Sequence, residues 1–210
     1  SLMEFFHYGE EAADRERVAT WMRPLSAITR YDAQILMQHI DLRGHRRMLD
    51  VGGNSGALAL CLCQHTPGLH ATVIDRPMVC ALGAEMIAGK TGAERVNFQP
   101  LDIRDHDLPA GVDLVVFKST LHDWEGRVAR ALLQRAHAAL RPGGKVLVFE
   151  RAPCPSTAER WVDRAIWLPL QAWRRPQERY MEMLQDLGFR DVECRPELPR
   201  EFSLVMAQRP

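Results

Sequence analysis

The stretch that decides the fold is Leu49–Gly56, which reads L-D-V-G-G-N-S-G. It follows a short apolar run at Arg47–Val51 and precedes a longer apolar run at Ala57–His65, which suits a helix. Glycine-rich turns between a strand and a helix are typical of open α/β sheets, which bind ligands at the carboxyl ends of their strands. Glycines in such a turn supply unusual dihedral angles and let the backbone approach a ligand. We therefore expect a ligand site at this turn.

The spacing of the glycines discriminates between classes of ligand. The dinucleotide fingerprint G-x-G-x-x-G fails at its second glycine in both registers, where Asn54 or Ser55 stands. The sequence also has no G-x-x-x-x-G-K-[ST] phosphate loop. The turn instead reads D-x-G-x-N-x-G from Asp50, and asparagine tolerates the left-handed backbone better than most residues. A nicotinamide-dependent oxidoreductase is therefore the weaker alternative.

Apolar strands alternate with amphipathic helices along the chain. Runs that are apolar on both faces are typical of interior strands in a parallel sheet. The predicted strands are Arg47–Val51, His70–Asp75, Val96–Asp102, Val112–Lys118 and Lys145–Glu150. The predicted helices after the fourth and fifth strands are Glu125–Leu140 and Pro176–Leu187. This alternation implies right-handed crossovers, with helices on both faces of one sheet.

The two ends of the chain depart from the alternation. Asp191–Pro196 and Phe202–Gln208 read as strands whose link, Glu197–Glu201, is too short for a crossover helix, so we expect an antiparallel pair. Two helices, Glu4–Arg30 and Tyr31–Ile40, are predicted before the first strand. The predicted fold is an α/β, Rossmann-like, seven-stranded sheet, mostly parallel, with an antiparallel C-terminal hairpin. We expect residues 1–45 to form an N-terminal helical segment and residues 46–210 the ligand-binding domain.

Two further motifs carry a specific resemblance. Phe117–Trp124 reads F-K-S-T-L-H-D-W, and Arg141–Glu150 reads R-P-G-G-K-V-L-V-F-E. Together with the D-x-G-x-N-x-G turn, they resemble class I S-adenosylmethionine-dependent methyltransferases. Within that class, the chain resembles small-molecule O-methyltransferases of the plant caffeate/isoflavone type and their bacterial natural-product relatives. The resemblance is strong over Leu49–Arg151 and weaker from Pro176 to the end.

The resemblance implies a catalytic pair. His122 maps to the general base and Glu150 to the glutamate that steadies it. Histidine titrates near neutral pH, which suits removal of a hydroxyl proton during in-line methyl transfer. The family's second acid, in an E-R-T sequence, has no counterpart here, because the matching stretch reads Arg174-Arg175-Pro176. The alternative for His122 is a structural role in its loop, beside Asp123 as a helix N-cap.

The resemblance also implies the residues that hold S-adenosylmethionine. Asp75 at the second strand end maps to the ribose, Asp102 with Ile103 to the adenine, and Lys118 to a position beside the cofactor. For each lone acid, the alternative is a helix N-cap or a solvated strand end. The predicted cofactor-binding residues are Asp50, Gly52, Gly53, Asn54, Gly56, Asp75, Arg76, Asp102, Ile103 and Lys118.

Tryptophans mark the candidate acceptor side. We expect Trp124, Trp161 and Trp167 to contact a small, aromatic or polyketide-like acceptor, or alternatively to pack helices on the sheet. About forty-five residues precede the first strand, too few for the N-terminal dimerisation domain of the family, so we expect a remnant of that domain here. A homodimer is expected for the full-length protein.

Composition narrows the remaining classes. The formal net charge is zero, which gives no electrostatic reason to expect nucleic acid as a partner. No apolar run approaches the ~20 residues of a membrane span, and five cysteines without a signal peptide indicate a cytoplasmic protein. No metal is expected, since Cys61, Cys63 and His65 diverge around a predicted helix. A non-catalytic cofactor-binding module and an N- or C-methyltransferase stay open as alternatives.

Overall fold

The computed structural model describes residues 12–153 and 174–210. The helices are α1 (Ala12–Met37), α2 (Ala57–His65), α3 (Pro77–Ile87), α4 (Gly126–Ala139) and α5 (Gln177–Asp186). The strands are β1 (Arg47–Val51), β2 (His70–Asp75), β3 (Val96–Pro100), β4 (Val112–Lys118), β5 (Leu140–Arg151), β6 (Arg190–Leu198) and β7 (Phe202–Gln208). Short 3₁₀ turns lie at Ala93–Arg95, Leu121–Asp123 and Pro199–Glu201.

The strands form one seven-stranded sheet in the order β3-β2-β1-β4-β5-β7-β6. β7 is antiparallel to both β5 and β6, and the remaining pairs are parallel. The predicted antiparallel C-terminal hairpin is therefore confirmed. The chain moves outward in one direction from β1 to β3 and in the other from β4 to β5, so the strand order switches between β1 and β4. Ligand crevices form at such a switch, beyond the carboxyl ends of the strands.

Helices cover both faces of the sheet, as predicted. Alternate residues of β4 point to opposite sides, with Val115 and Phe117 in one core and Leu114 and Val116 in the other. The first core includes residues of α4 and α5, and the second includes residues of α1 and α2. Each central strand thus buries apolar side chains on both faces, which explains its unbroken apolar sequence.

Several predicted boundaries are wrong, among them the start of β5, which lies at Leu140 rather than Lys145. One continuous helix, α1, replaces the two predicted on either side of Arg30 and Tyr31. Its buried face continues past that point, because Met22 packs against α3 while Ala33 and Leu36 lie in the core beside α2. The predicted N-terminal part of the first of these helices lies outside the described residues.

The third strand is also shorter than predicted, ending at Pro100 rather than Asp102. The Asp102 carboxylate accepts a hydrogen bond from the backbone N–H of Arg104 at 2.9 Å. Such a bond to the backbone two residues on stabilises a turn and ends the strand. Within the described ranges, no helix is both long enough and apolar enough to cross a bilayer.

Candidate active site

A cavity of about 400 Å³ opens at the switch between β1 and β4. Its wall brings together most of the residues that the sequence singles out: Asp50, Gly52, Gly53, Asn54, Asp75, Arg76, Asp102, Ile103, Lys118, His122 and Trp124. Gly56 and Glu150 do not line the cavity; both lie behind residues that do. Trp161 and Trp167 lie outside the described residues.

The glycine turn after β1 is shaped by its close packing. Gly52, Asn54 and Gly56 all have left-handed backbones, with φ of 69°, 53° and 69°. A Cβ at Gly52 would lie 2.7 Å from the Thr120 side chain, and one at Gly56 would lie 2.7 Å from the Phe98 ring. Glycine is therefore required at both positions by neighbouring protein atoms as well as by backbone angle. Asn54 holds the left-handed conformation that the sequence predicted for it.

Two buried acceptor oxygens on the cavity wall have no hydrogen-bond partner within the described ranges, namely Asp50 Oδ2 and Asn54 Oδ1. Burial raises the pKa of Asp50 to about 7, against the opposing effect of the Lys118 charge. A buried acceptor without a partner is costly, and a donor from a ligand would relieve that cost. The Asp50 end of the cavity therefore suits a ligand that carries a positively charged donor.

Asp75 lies at the carboxyl end of β2, where the sequence predicted it. Its Oδ2 accepts from the backbone N–H of Asn54 at 2.9 Å and its Oδ1 from that of Arg76 at 2.8 Å. Burial raises the pKa of Asp75, although both backbone hydrogen bonds oppose that rise. Each carboxylate oxygen can accept more than one hydrogen bond, so both retain capacity for ligand hydroxyls. Asp75 therefore fixes the glycine turn and also faces the cavity.

Asp102 and Lys118 line the same cavity, each with a partner of its own. The Asp102 carboxylate pairs with the Arg104 guanidinium, which holds the pKa of Asp102 down at about 2. Lys118 Nζ lies 2.9 Å from Asp32 Oδ2 and 3.2 Å from Thr29 Oγ1, both on α1. Lys118 thus connects β4 to α1, a contact that no local pattern in the sequence predicts.

His122 is held by a buried glutamate. Its Nδ1 lies 2.6 Å from Oε2 of Glu150, whose Oε1 accepts from the backbone N–H groups of Thr120 and Leu121 at 2.8 and 2.7 Å. Glu150 is 1% exposed. Burial disfavours the charged imidazole, but the charge and hydrogen bond of Glu150 outweigh it and raise the pKa of His122. Because the Glu150 carboxylate accepts a hydrogen bond from Nδ1–H, the neutral ring keeps its lone pair on Nε2, which can accept a proton.

Asp123 lies beside His122, although the sequence suggested for it only a helix N-cap. Its Oδ1 lies 3.4 Å from His122 Nε2, and burial raises the pKa of Asp123 to about 6. The helix α4 is capped by Glu125 and begins at Gly126, so the alternative of Asp123 as its N-cap is wrong. Asp123 is instead a second carboxyl group beside the imidazole, on its Nε2 side.

Arg175 follows Arg174, which takes the place at which the family's E-R-T sequence has its acid. The Arg175 guanidinium donates to the backbone carbonyl of Leu121 at 3.0 Å and to that of Trp124. The loop that carries His122 is thereby fastened from the start of α5. The neighbouring Arg174 lines the cavity, and its positive charge disfavours protonation of His122. The R-R-P departure in the sequence was the only signal of this change.

Trp124 joins the cavity wall to the core. Its ring packs against the core cluster that includes α4, and its Nε1 is buried with no hydrogen-bond partner in the described part of the chain. Trp124 therefore packs at the helix start and also lines the cavity, and its contact with an acceptor stays a prediction.

Comparison with known proteins decides the family. The sequence profile of a family described as "O-methyltransferase domain" matches residues 3–190, most of the chain. The chain belongs to this family. The resemblance drawn from the glycine turn and the H-D-W motif is thereby confirmed, and the nicotinamide-dependent oxidoreductase is set aside.

Two curated relatives and one solved structure illustrate the likeness. A 3-hydroxy-5-methyl-1-naphthoate 3-O-methyltransferase from Streptomyces sahachiroi is 41% identical over 56% of this chain and 34% of its own length. The N,N-dimethyltransferase OxyT from Streptomyces rimosus is 32% identical over 71% of this chain and 43% of its own. The apo structure of the S-adenosylmethionine-dependent methyltransferase SibL is 28% identical, with a TM-score of 0.75 over 93% of this chain and 62% of its own.

The fold is therefore that of a methyltransferase, as predicted. The chain spans half the length of these curated relatives or less.

Proposed function

We propose that the chain transfers a methyl group from S-adenosylmethionine to a hydroxyl of a small aromatic or polyketide-like acceptor, with His122 as general base. The observation that carries the proposal is the 2.6 Å contact between His122 Nδ1 and Glu150, at a cavity whose wall also holds the glycine turn. Family membership and the O-methyltransferase named among the relatives support the same reaction.

The residues present fit S-adenosylmethionine. The partnerless oxygens of Asp50 and Asn54 match the ammonium of its amino-acid end, and Asp75 retains acceptor capacity for the ribose hydroxyls. Asp102 and Ile103 would meet the adenine, beyond the end of β3. When bound, this cofactor supplies a methyl group on a positively charged sulfur, already activated for displacement.

The contribution of the protein is position and proton transfer. In the proposed step, the acceptor oxygen forms a bond to the methyl carbon as the methyl–sulfur bond breaks. The hydroxyl proton passes to His122 Nε2, and Glu150 stabilises the imidazolium that forms. Asp123 lies beside Nε2 and can hydrogen-bond to the same hydroxyl. Fixing the acceptor in line removes most of the entropic cost of the encounter.

Transfer to nitrogen or carbon is the second candidate, because OxyT is named as an N,N-dimethyltransferase and another relative as an L-tyrosine C(3)-methyltransferase. The raised pKa of His122 favours oxygen, since a phenol must lose its proton to attack whereas a neutral amine attacks before losing one. The third candidate function is cofactor binding without any transfer activity.

The test is a transfer assay with S-adenosylmethionine labelled in its methyl group. We expect the label to appear as an aryl methyl ether when the chain is given a panel of phenols, naphthols, anilines and carbon nucleophiles, with mass spectrometry of each product. Label found only on nitrogen or carbon would show that the acceptor atom is not oxygen. Cofactor binding without transfer to any acceptor would support the binding module without activity.

Asp75→Ala tests the cofactor assignment. Losing a carboxylate that accepts ligand hydroxyls should weaken binding of S-adenosylhomocysteine by about 1.5–3 kcal/mol, as measured by calorimetry. Asp41→Ala, which removes an exposed carboxylate paired with Arg43, is the matched control and should bind as the parent chain does. Unchanged affinity in Asp75→Ala would remove Asp75 from the cofactor site.

A further inference from the structure

Positive side chains gather on one part of the cavity wall. Arg151 ends β5, Arg200 lies in the link between β6 and β7, and Arg174 precedes α5, and all three line the cavity together with Lys118. The charges of Arg174 and Arg200 both act on Arg151, so the three guanidinium groups share one region. Such a group of cations in a cavity raises the local concentration of anions.

The nearest buried carboxylate is already shared. Asp32, which is fully buried, pairs through Oδ1 with Arg200 Nη1 at 2.7 Å and through Oδ2 with Lys118 Nζ at 2.9 Å. One negative charge is therefore shared between two positive ones and can offset only one of them. The oxygens of Glu150 are hydrogen-bonded to His122 and to two backbone N–H groups, so their partners are not Arg151 or Arg200.

Arg151 is the positive side chain that has no carboxylate partner in this arrangement of described residues. Its guanidinium lies 5.0 Å from the centroid of the Phe202 ring, and among the described residues no carboxylate lies within ion-pair distance of it. Burial, with the nearby charges of Arg200 and Arg174, lowers the pKa of Arg151. Stacking on an aromatic face fixes the plane of a guanidinium and leaves the donors on its edge available.

We propose that Arg151, assisted by Arg200, binds a carboxylate on the acceptor, so that the substrate is an aromatic hydroxy acid. The inference rests on the proposed function, because it takes the hydroxyl of the same molecule to lie at His122. A planar guanidinium matches a carboxylate through two parallel hydrogen bonds, which a neutral substituent cannot reproduce. Holding one end of a flat acceptor at Arg151 would select which of its hydroxyls reaches the base.

The carboxylate of the cofactor does not explain Arg151 equally well. The positive charge that lowers the pKa of Asp50, at the glycine turn, is that of Lys118. The charged groups that shift the pKa of Arg151 are Arg200, Asp32 and Arg174. Arg151 is thus surrounded by groups from α1, the β6–β7 link and the start of α5. It is placed for the acceptor rather than for the ligand at the turn.

The experiment compares two probes, 6-hydroxy-2-naphthoate and 6-hydroxy-2-naphthamide, as methyl acceptors. The parent chain should prefer the carboxylate in kcat/KM, and Arg151→Met should lower that preference by roughly ten- to a hundredfold, the value of a hydrogen-bonded charge. Methionine keeps contact with the Phe202 ring while removing the charge. Because the readout is a ratio of the two probes, differences in hydroxyl acidity cancel between variants.

The matched control is Arg179→Met, which removes one positive charge from the exposed face of α5 and should leave the ratio unchanged. Arg151→Lys keeps the charge but cannot form two parallel hydrogen bonds to a carboxylate. It should therefore give a preference between those of the parent and Arg151→Met. If Arg151→Met does not fold, the lysine variant decides alone by showing a reduced preference.

The outcomes separate the two proposals. Equal kcat/KM for both probes, or an unchanged ratio in the Arg151 variants, would overturn this inference and leave O-methyl transfer intact. A lower affinity for S-adenosylhomocysteine in Arg151→Met, with an unchanged ratio, would assign Arg151 to the cofactor instead. Methyl transfer to no hydroxyl acceptor at all would overturn the proposed function itself.

Discussion

Replacing His122 with alanine is expected to lower turnover by roughly 10²–10⁴-fold, the usual contribution of a positioned general base. The affinity for S-adenosylhomocysteine should change little, because His122 Nε2 faces Asp123 rather than the glycine turn. Steady-state kinetics on a naphthol, together with calorimetry, measure the two effects separately. His70→Ala is a matched control, since this exposed histidine begins β2 at the opposite end of the strands. Near-normal turnover of His122→Ala at neutral pH would return His122 to a packing role.

Glu150→Gln should give the second largest effect, a turnover lowered by roughly 10–10²-fold, below the cost of removing the base itself. The amide can still accept from the N–H groups of Thr120 and Leu121, so the loop keeps its support. What is lost is the negative charge that stabilises the imidazolium and the acceptor that keeps the ring proton on Nδ1. The double variant should be little worse than His122→Ala alone, because the two residues act as a unit. Additive losses would show that Glu150 serves the reaction by another route.

The pH profile gives the same pair a second test, with a definite sign. A base must be neutral to act, and Glu150 raises the pKa of His122 above its ordinary value of 6.5. Activity of the parent chain should therefore rise with pH through a midpoint above 6.5. Without the carboxylate, burial and the charge of Arg174 both favour the neutral ring, so the midpoint in Glu150→Gln should move to lower pH. A midpoint that stays in place, or moves upward, would contradict the assigned contact.

Local sequence patterns were sufficient for the sheet, and the family resemblance predicted that His122 and Glu150 lie together. The apolar runs predicted the strands. The link from Glu197 to Glu201 is too short for a crossover helix, so β6 and β7 pair antiparallel. Because β4 and β5 are neighbours in parallel register, residues that follow β4 must lie near those that end β5. The contact between His122 and Glu150 is a consequence of that register.

Features that depend on distant parts of the chain were not predictable in this way. The pairing of Asp32 with Lys118 and Arg200 joins α1, β4 and the last link of the chain, and no local pattern records such a contact. Arg174 could be recognised as a departure from the family, but the hydrogen bonds of the neighbouring Arg175 to the His122 loop depend on where α5 packs. The single helix α1 likewise reflects packing against α2 and α3, which overrides the apparent break in the sequence.

The most direct test of general-base catalysis is the dependence of single-turnover methyl transfer on the acidity of the acceptor. The series should be phenols of one shape whose hydroxyl pKa runs from about 7 to about 10, the value of an ordinary phenol. For the parent chain, the rate should depend weakly on that pKa. For His122→Ala, the deficit should be largest on the least acidic phenol and should shrink as acidity rises, because acidic phenols ionise unaided. A deficit that is constant across the series, or absent on the least acidic phenol, would contradict the role of His122 as the base.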